Sequence, residues 1–313
     1  MEKVAVVGAG LIGQGWAAVF AQAGYQVALH DVSEKALELA LSAMQTRIGD
    51  MADYDLIDRA ETETVLSRIT ASPSLEGALD GAIYVQENGP ENVDIKRELT
   101  TRIDAIAVPG VPICSSTSGI SASRYCEHIA GRNRCLVAHP INPPHLIPAV
   151  EIVPTPWTAD EVVARVRDLL IRCKRQTITL TEEIDGFVVN RLQGALLEEA
   201  FKLVGSGIVS AEDLDKAICD GLGLRWSFMG PMQTIHLNAP GGVAQYVERY
   251  GAMYRGFGVG PLEAADWTKV VDGGLARDLE QKTPIKNIAQ AQVERDRTLM
   301  ALLRHKAGTK KLV

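Results

Sequence analysis

The sequence predicts an α/β protein in two parts, a doubly wound sheet at the N-terminal side followed by an all-α region, and three observations predict it. Short runs of β-type residues alternate with longer helix-period stretches up to about residue 180, the pattern of a parallel sheet covered by helices on both faces. The chain opens with Val4-Ala-Val-Val-Gly8-Ala-Gly10-Leu-Ile-Gly13, an apolar strand running straight into a glycine turn. After Glu182-Glu-Ile-Asp-Gly-Phe the strand signals cease, and Val188 to Val204 carries apolar residues at helical spacing.

Taken in order, strands are expected at 3–7, 26–30, 68–70, 82–86, 112–115, 134–138, 149–153 and 177–180. Helices are expected near 12–24, 33–50, 60–66, 91–106, 121–128 and 158–173. Gly205-Ser-Gly, Gly221-Leu-Gly and Ala239-Pro-Gly-Gly divide the second part into separate helices. The change of character sets a domain boundary near 184, giving domains 1–184 and 185–313. A chain of 313 residues with 46% hydrophobic content is long enough and apolar enough for two cores.

A net charge of −7 argues against a general nucleic-acid surface, which needs a basic face to release counterions. No apolar run reaches membrane-spanning length, and residues 4–7 lead into a structural turn rather than a cleavage site. The five cysteines, at 114, 126, 135, 173 and 219, show neither metal-ligand spacing nor a disulfide framework. The expectation is a cytoplasmic protein with free thiols, no metal, no nucleic acid and no membrane. The closing Lys306-Ala-Gly-Thr-Lys-Lys-Leu-Val reads as a basic frayed tail.

A glycine triplet alone is a weak signal, but this one follows a strand, opens a helix and precedes a second strand ending Leu29-His30-Asp31. In a Rossmann-type dinucleotide site the first glycine permits the turn, the second admits the pyrophosphate and the third allows close helix–strand packing. Gly8, Gly10, Leu11, Ile12 and Gly13 are therefore the expected cofactor turn. Asp31 stands where a carboxylate accepts hydrogen bonds from the adenosine ribose and repels a 2′-phosphate, which favours NAD over NADP. Asp31 could instead cap the next helix, but Ser33 is the better cap.

Ser115-Ser-Thr-Ser118, His139-Pro-Ile-Asn142-Pro and Glu87-Asn-Gly-Pro each follow an expected strand, so all three belong to the carboxyl edge where open α/β sheets bind ligands. Alcohol oxidation needs a base for the hydroxyl proton, and His139 is the candidate. Twelve residues on, Glu151 lies in the apolar strand Ala-Val-Glu-Ile-Val. An unpaired carboxylate there costs several kcal/mol, so it needs a partner. Bonding to His139 would fix the imidazole tautomer and stabilise its charged form; a structural pairing with an arginine is the alternative. His30, His128, His145, His236 and His305 read as structural.

These residues together resemble the 3-hydroxyacyl-CoA dehydrogenase superfamily: a glycine turn, Ser-x-Thr-Ser, His-x-x-Asn-Pro, a Val-Glu-Ile strand and Gly-Phe-x-x-Asn-Arg, all present in order. The resemblance implies that His139 is the catalytic base and Glu151 its partner. It implies that Ser118 and Asn190 bind the substrate oxygen, with Asn142 supporting the pocket, and it matches Glu87 and Lys96 to positions near the nicotinamide and its ribose. Within the superfamily, His139-Pro-Ile-Asn-Pro-Pro144, Gly207-Ile-Val-Ser-x-x-Asp213-Leu-Asp215, Gly221-Leu-Gly-Leu-Arg225 and His236-Leu-Asn238 are similar to the λ-crystallin / L-gulonate 3-dehydrogenase branch. That branch implies NAD-dependent oxidation of the 3-hydroxyl of a small sugar acid, and a homodimer joined through the helical domain.

Charge points the same way. Residues 33–66 hold only Lys35, Arg47 and Arg59 against eight carboxylates, a poor surface for CoA phosphates. A free hydroxy acid needs a cation for its carboxylate, and Arg225 beside Trp226 is the candidate, with Arg191 as competitor. A short-chain L-3-hydroxyacyl-CoA dehydrogenase, a dehydrogenase of another hydroxy acid such as carnitine, and a non-catalytic NAD-binding crystallin stay open.

Overall fold

The computed structural model describes residues 1–257, 266, 269, 271–282 and 284–308. The last five residues of the basic tail thus lie outside the described residues. The chain divides into two compact units, Met1–Arg191 with Val293–Lys306, and Leu192–Gln292 with Ala307–Val313.

The first unit is built on one eight-stranded sheet in the order β3-β2-β1-β4-β5-β6-β7-β8. The strands are β1 (Lys3–Val7), β2 (Gln26–His30), β3 (Ile69–Ser72), β4 (Ala82–Glu87), β5 (Ile113–Ser115), β6 (Cys135–Pro140), β7 (Ala149–Pro154) and β8 (Gln176–Thr179). Chain order reverses between β1 and β4, which lie side by side, so a crevice opens at their carboxyl ends. Strand alternation divides the core. Val4, Val6, Val27, Leu29, Leu136, Ala138, Val150 and Ile152 pack on one face, and Ala5, Val7, Val85, Val137 and Val153 on the other.

The expected parallel sheet holds one antiparallel pair, β6 with β7. Only residues 141–148 join them, too few for the dozen-residue crossover that a parallel pair requires, so the chain turns back as a hairpin. β8 then pairs parallel to β7 after the helix Asp160–Arg172.

Helices α1 (Leu11–Gln22), α2 (Glu34–Asp53), α3 (Thr62–Ser67), α4 (Leu75–Leu79), α5 (Val93–Ile106), α6 (Ser123–Cys126) and α7 (Asp160–Arg172) cover the sheet. Ser33 caps α2 by accepting from the Ala36 N–H at 3.2 Å, and Asn92 caps α5 by accepting from Asp94 and Ile95. The sequence reading lacks α4, a five-residue helix too short to show a period; its signal is the Ser74 cap, which accepts from the Gly77 N–H. Helix Ile288–Ala307 sends Met300 into the first core cluster, beside Leu299 and Leu303.

The second unit is helical: α8 (Val189–Gly205), which begins in the first unit, then α9 (Ala211–Lys216), α10 (Gly223–Trp226), α11 (Pro231–Leu237), α12 (Gly242–Phe257) and a helix over Ala276–Lys282. Among its described residues only Thr234 and Ala239 are buried. No helix among the described residues is long and apolar enough to cross a membrane.

Candidate active site

The glycine turn leaves β1 and enters α1 directly. Gly8 has φ +100°, and a Cβ there would lie 2.7 Å from the Asn88 carbonyl oxygen. At Gly13 a Cβ would lie 1.8 Å from the Gly8 carbonyl oxygen, so no side chain fits. Gly10 is different: nothing lies within 4 Å of its Cβ position. The N-cap of α1 has no side-chain hydrogen bond, which leaves the first N–H groups, those of Leu11 and Ile12 among them, to a ligand. Asp31 follows β2; its carboxylate accepts from the Ala9 N–H at 2.8 Å and the Ser33 N–H at 3.0 Å. These residues fit a dinucleotide, with open backbone at Gly10 for a pyrophosphate and an acid at the end of β2 for a ribose.

On the other side of the crevice, Ser116 Oγ joins three elements. It accepts from Trp16 Nε1 at 3.0 Å and Gln86 Nε2 at 2.7 Å, and donates to Asn88 Oδ1 at 2.7 Å. Glu87 and Lys96 form a buried ion pair at 3.0 Å, each 1% exposed. Lys96 Nζ also reaches the Gly89 carbonyl and Ser115 Oγ, and the Ser115 hydroxyl donates to Glu87. The resemblance sets this pair near the nicotinamide and its ribose; in the structure it ties the loop after β4 to the end of β5.

His139 and Glu151 occupy opposite positions in the β6–β7 hairpin, so their side chains share a face. His139 Nδ1 and Glu151 Oε2 lie 2.8 Å apart, with Glu151 fully buried and His139 6% exposed. The other carboxylate oxygen accepts from the Val188 and Val189 N–H groups at 2.7 and 2.9 Å. Those amides are presented by Gly186 (φ +75°) and Phe187 (φ +50°), a left-handed pair just ahead of α8. The fully buried Phe187 ring packs 5.6 Å from the imidazole, centroid to centroid. Burial raises the Glu151 pKa, but the bonds from His139, Val189 and Val188 outweigh it and hold the carboxyl below its ordinary value. An ionised Glu151 keeps a proton on Nδ1 and leaves Nε2 as an acceptor.

Asn190, in the first turn of α8, donates from Nδ2 to the Ser118 carbonyl at 2.7 Å. Ser118 is exposed, and Asn142 is exposed on the turn after β6. The sequence reading missed Glu91. One of its carboxylate oxygens accepts from Thr117 Oγ1 at 2.6 Å, the Ser118 N–H at 3.0 Å, the Gly119 N–H at 3.2 Å and the Ser118 hydroxyl at 3.3 Å. In sequence it reads as a solvated acid beside the Asn92 helix cap, and no motif marks it. Arg225, on α10, belongs to the helical unit, where it is half-buried. Arg191 donates to the Asp185 carbonyl at 3.3 Å. His30 bonds the Ser72 carbonyl and His128 bonds Thr101, both as structural residues.

The model of the 3-hydroxyacyl-CoA dehydrogenase NAD-binding domain matches residues 3–184, and that of the C-terminal domain matches 186–283. A λ-crystallin homolog of Bos taurus is 44% identical over 79% of this chain and 77% of its own length. An L-carnitine dehydrogenase of Streptomyces coelicolor is 36% identical over 97% and 94%. Among solved structures, 5-formyl-3-hydroxy-2-methylpyridine 4-carboxylic acid 5-dehydrogenase, an NAD+-dependent dismutase, superposes with TM-score 0.84 at 27% identity, covering 99% of this chain and all of that one. With the glycine turn and the His139–Glu151 pair in place, the chain belongs to the 3-hydroxyacyl-CoA dehydrogenase family and is an NAD-dependent hydroxy acid oxidoreductase.

Proposed function

We propose that this enzyme oxidises the 3-hydroxyl of a small free L-3-hydroxy acid, with L-gulonate converted to 3-dehydro-L-gulonate as the leading reaction. The observation that carries the chemistry is the buried His139–Glu151 pair at 2.8 Å, locked by two backbone N–H groups. His139 Nε2 removes the hydroxyl proton, and Glu151 stabilises the imidazolium that results. Ser118 and Asn190 hold the oxygen as it becomes a carbonyl. Bound NAD supplies the acceptor for the hydride that leaves carbon 3. Gly8, Gly10, Leu11, Ile12, Gly13 and Asp31 hold it, with Glu87 and Lys96 supporting the nicotinamide end from below. Asn142 supports the substrate pocket.

The free acid is favoured over a CoA thioester by the carboxylate-rich residues 33–66 and by the likeness to λ-crystallin homologs. Arg225 is assigned to the substrate carboxylate. The deciding experiment is NADH formation from L-gulonate, L-3-hydroxybutyryl-CoA and L-carnitine. L-gulonate is expected to be fastest, and an Arg225→Lys variant is expected to raise its KM about tenfold. A CoA thioester preference would overturn the free-acid reading, and turnover of none would revive the crystallin reading. L-carnitine stands in the assay because of the L-carnitine dehydrogenase relatives.

The enzyme is also proposed to act as a homodimer through the helical unit. That unit buries two of its described residues and exposes Leu192, Phe228, Met232, Val247 and Met253. A second copy offers a matching apolar face. Light scattering is expected to give twice the mass of one 33.8 kDa chain.

A further inference from the structure

Behind the first turn of α1 the fold collects cations that the reaction does not use. Pro144 packs so tightly on Gly15 that a Cβ there would lie 2.8 Å from the proline Cδ, which fixes the 141–148 turn against α1. Arg175 donates from Nη1 to the Pro144 carbonyl at 2.9 Å and from Nε to the Cys173 carbonyl at 3.0 Å. Arg47, on α2, donates to Gln14 Oε1 at 3.3 Å, one residue from Gly15. Two guanidiniums from distant parts of the chain thus approach the segment that holds His145. Arg175 immediately precedes Gln176, which pairs with Ala149 at the start of β7, so the cluster lies at the carboxyl edge of the sheet.

This charge is poorly compensated. Among the described residues neither Arg47 nor Arg175 forms a salt bridge. Asp296 acts on Arg47, but it is itself paired with Arg295 at 2.7 Å. His145 is 5% exposed, and its enclosed Nδ1 has no hydrogen-bond partner. Burial, with Arg47, Arg175 and Arg295 adding to it, pushes the imidazole down to about 3. Burial also lowers both Arg47 and Arg175. An enclosed imidazole nitrogen without a partner, beside two half-buried guanidiniums without carboxylate partners, is a setting that an oxyanion can complete.

We propose that Arg47, His145 and Arg175 form a site for a small inorganic oxyanion of the sulfate or phosphate class, distinct in its residues from the glycine turn and from the Ser118, His139 and Asn190 set. Such an ion accepts hydrogen bonds from both guanidiniums, lowers their mutual repulsion and gives the imidazole a partner. Its role is to secure the 141–148 turn that follows His139.

The test is thermal unfolding and calorimetric titration of the whole chain with sodium sulfate and with sodium phosphate, against sodium chloride at equal ionic strength. A saturable rise in Tm beyond chloride is expected, with affinity about tenfold weaker in Arg47→Gln and in Arg175→Gln. A response equal to chloride, or equal in the wild type and both variants, overturns the site. So does loss of the sulfate response on saturation with NAD, because the ion would then lie at the glycine turn. Should a variant fail to fold, the His145 imidazole resonance of the wild type decides: sulfate shifts its titration midpoint upward if the site is there, and leaves it unmoved if it is not.

Discussion

His139 and Glu151 face each other directly across an antiparallel strand pair, and their side chains meet at 2.8 Å. The hairpin makes the relay stiff, because both residues are held by ladder hydrogen bonds and by the two amides that clamp the carboxylate. A Glu151→Gln variant keeps the shape and reverses one bond: the new amide donates to Nδ1, which drives the imidazole proton to Nε2 and removes the base. Turnover is expected to fall on the order of 10²–10⁴-fold with NAD affinity near normal. Steady-state rates and NAD titration check this; unchanged turnover would remove Glu151 from the mechanism.

Glu91 joins the site as a positioning residue. Three contacts of 3.2 Å or less hold Thr117, Ser118 and Gly119 to one carboxylate oxygen, while the 3.3 Å contact to the Ser118 hydroxyl is weak enough for that hydroxyl to turn toward substrate. Glu91→Ala is expected to lower kcat about ten- to a hundredfold through the misplaced loop. If it acts through Ser118, the loss shrinks in a Ser118→Ala background. Additive losses in the double-mutant cycle would make Glu91 an independent contributor.

His145 predicts an acid sensitivity. Its folded pKa, near 3, lies below the ordinary 6.5, so between those values the unfolded chain binds a proton that the folded chain refuses. Stability therefore falls as pH drops below 6.5, with a slope of up to about 1.4 kcal/mol per pH unit. Glu151 acts lower: its depressed carboxyl stabilises the fold above the ordinary carboxylate pKa and loses that contribution as pH falls through the folded value. Urea unfolding between pH 4 and 7 in sulfate- and phosphate-free buffer is expected to show a shallower slope for His145→Gln than for the wild type. Equal slopes would assign the acid sensitivity elsewhere.

The legible parts of this protein are those written in local pattern. The glycine turn, the eight strands and the Glu151 anomaly all follow from alternation and from the cost of a buried charge, and each stands where expected. What the pattern hides is pairing at a distance. The antiparallel β6–β7 hairpin was implicit in the short 141–148 connection, but helix-poor loops and crossovers look alike without a partner strand. Glu91 and His145 take their meaning from Ser118, Arg47 and Arg175, residues 27 to 98 positions away, so no window along the chain shows them. Helix Ile288–Ala307 shows a similar limit: nothing in its sequence says that Met300 joins the first unit's core.

The glycine turn separates fold from binding in two neighbouring positions. At Gly13 a methyl group would lie 1.8 Å from the Gly8 carbonyl oxygen, and that atom is backbone, so relief requires moving the turn against α1. Gly13→Ala is expected to lower Tm by several degrees, through about 1–3 kcal/mol of overpacking. At Gly10 the same methyl meets nothing within 4 Å of protein, and the residue has φ −67°, which any side chain adopts. Gly10→Ala is therefore expected to leave Tm unchanged and to weaken NAD about tenfold, because the space it fills is where the pyrophosphate approaches the backbone. Calorimetry of both variants, with and without NAD, checks the pair. A Gly10→Ala variant that binds NAD as the wild type does would place the pyrophosphate elsewhere along the first turn of α1.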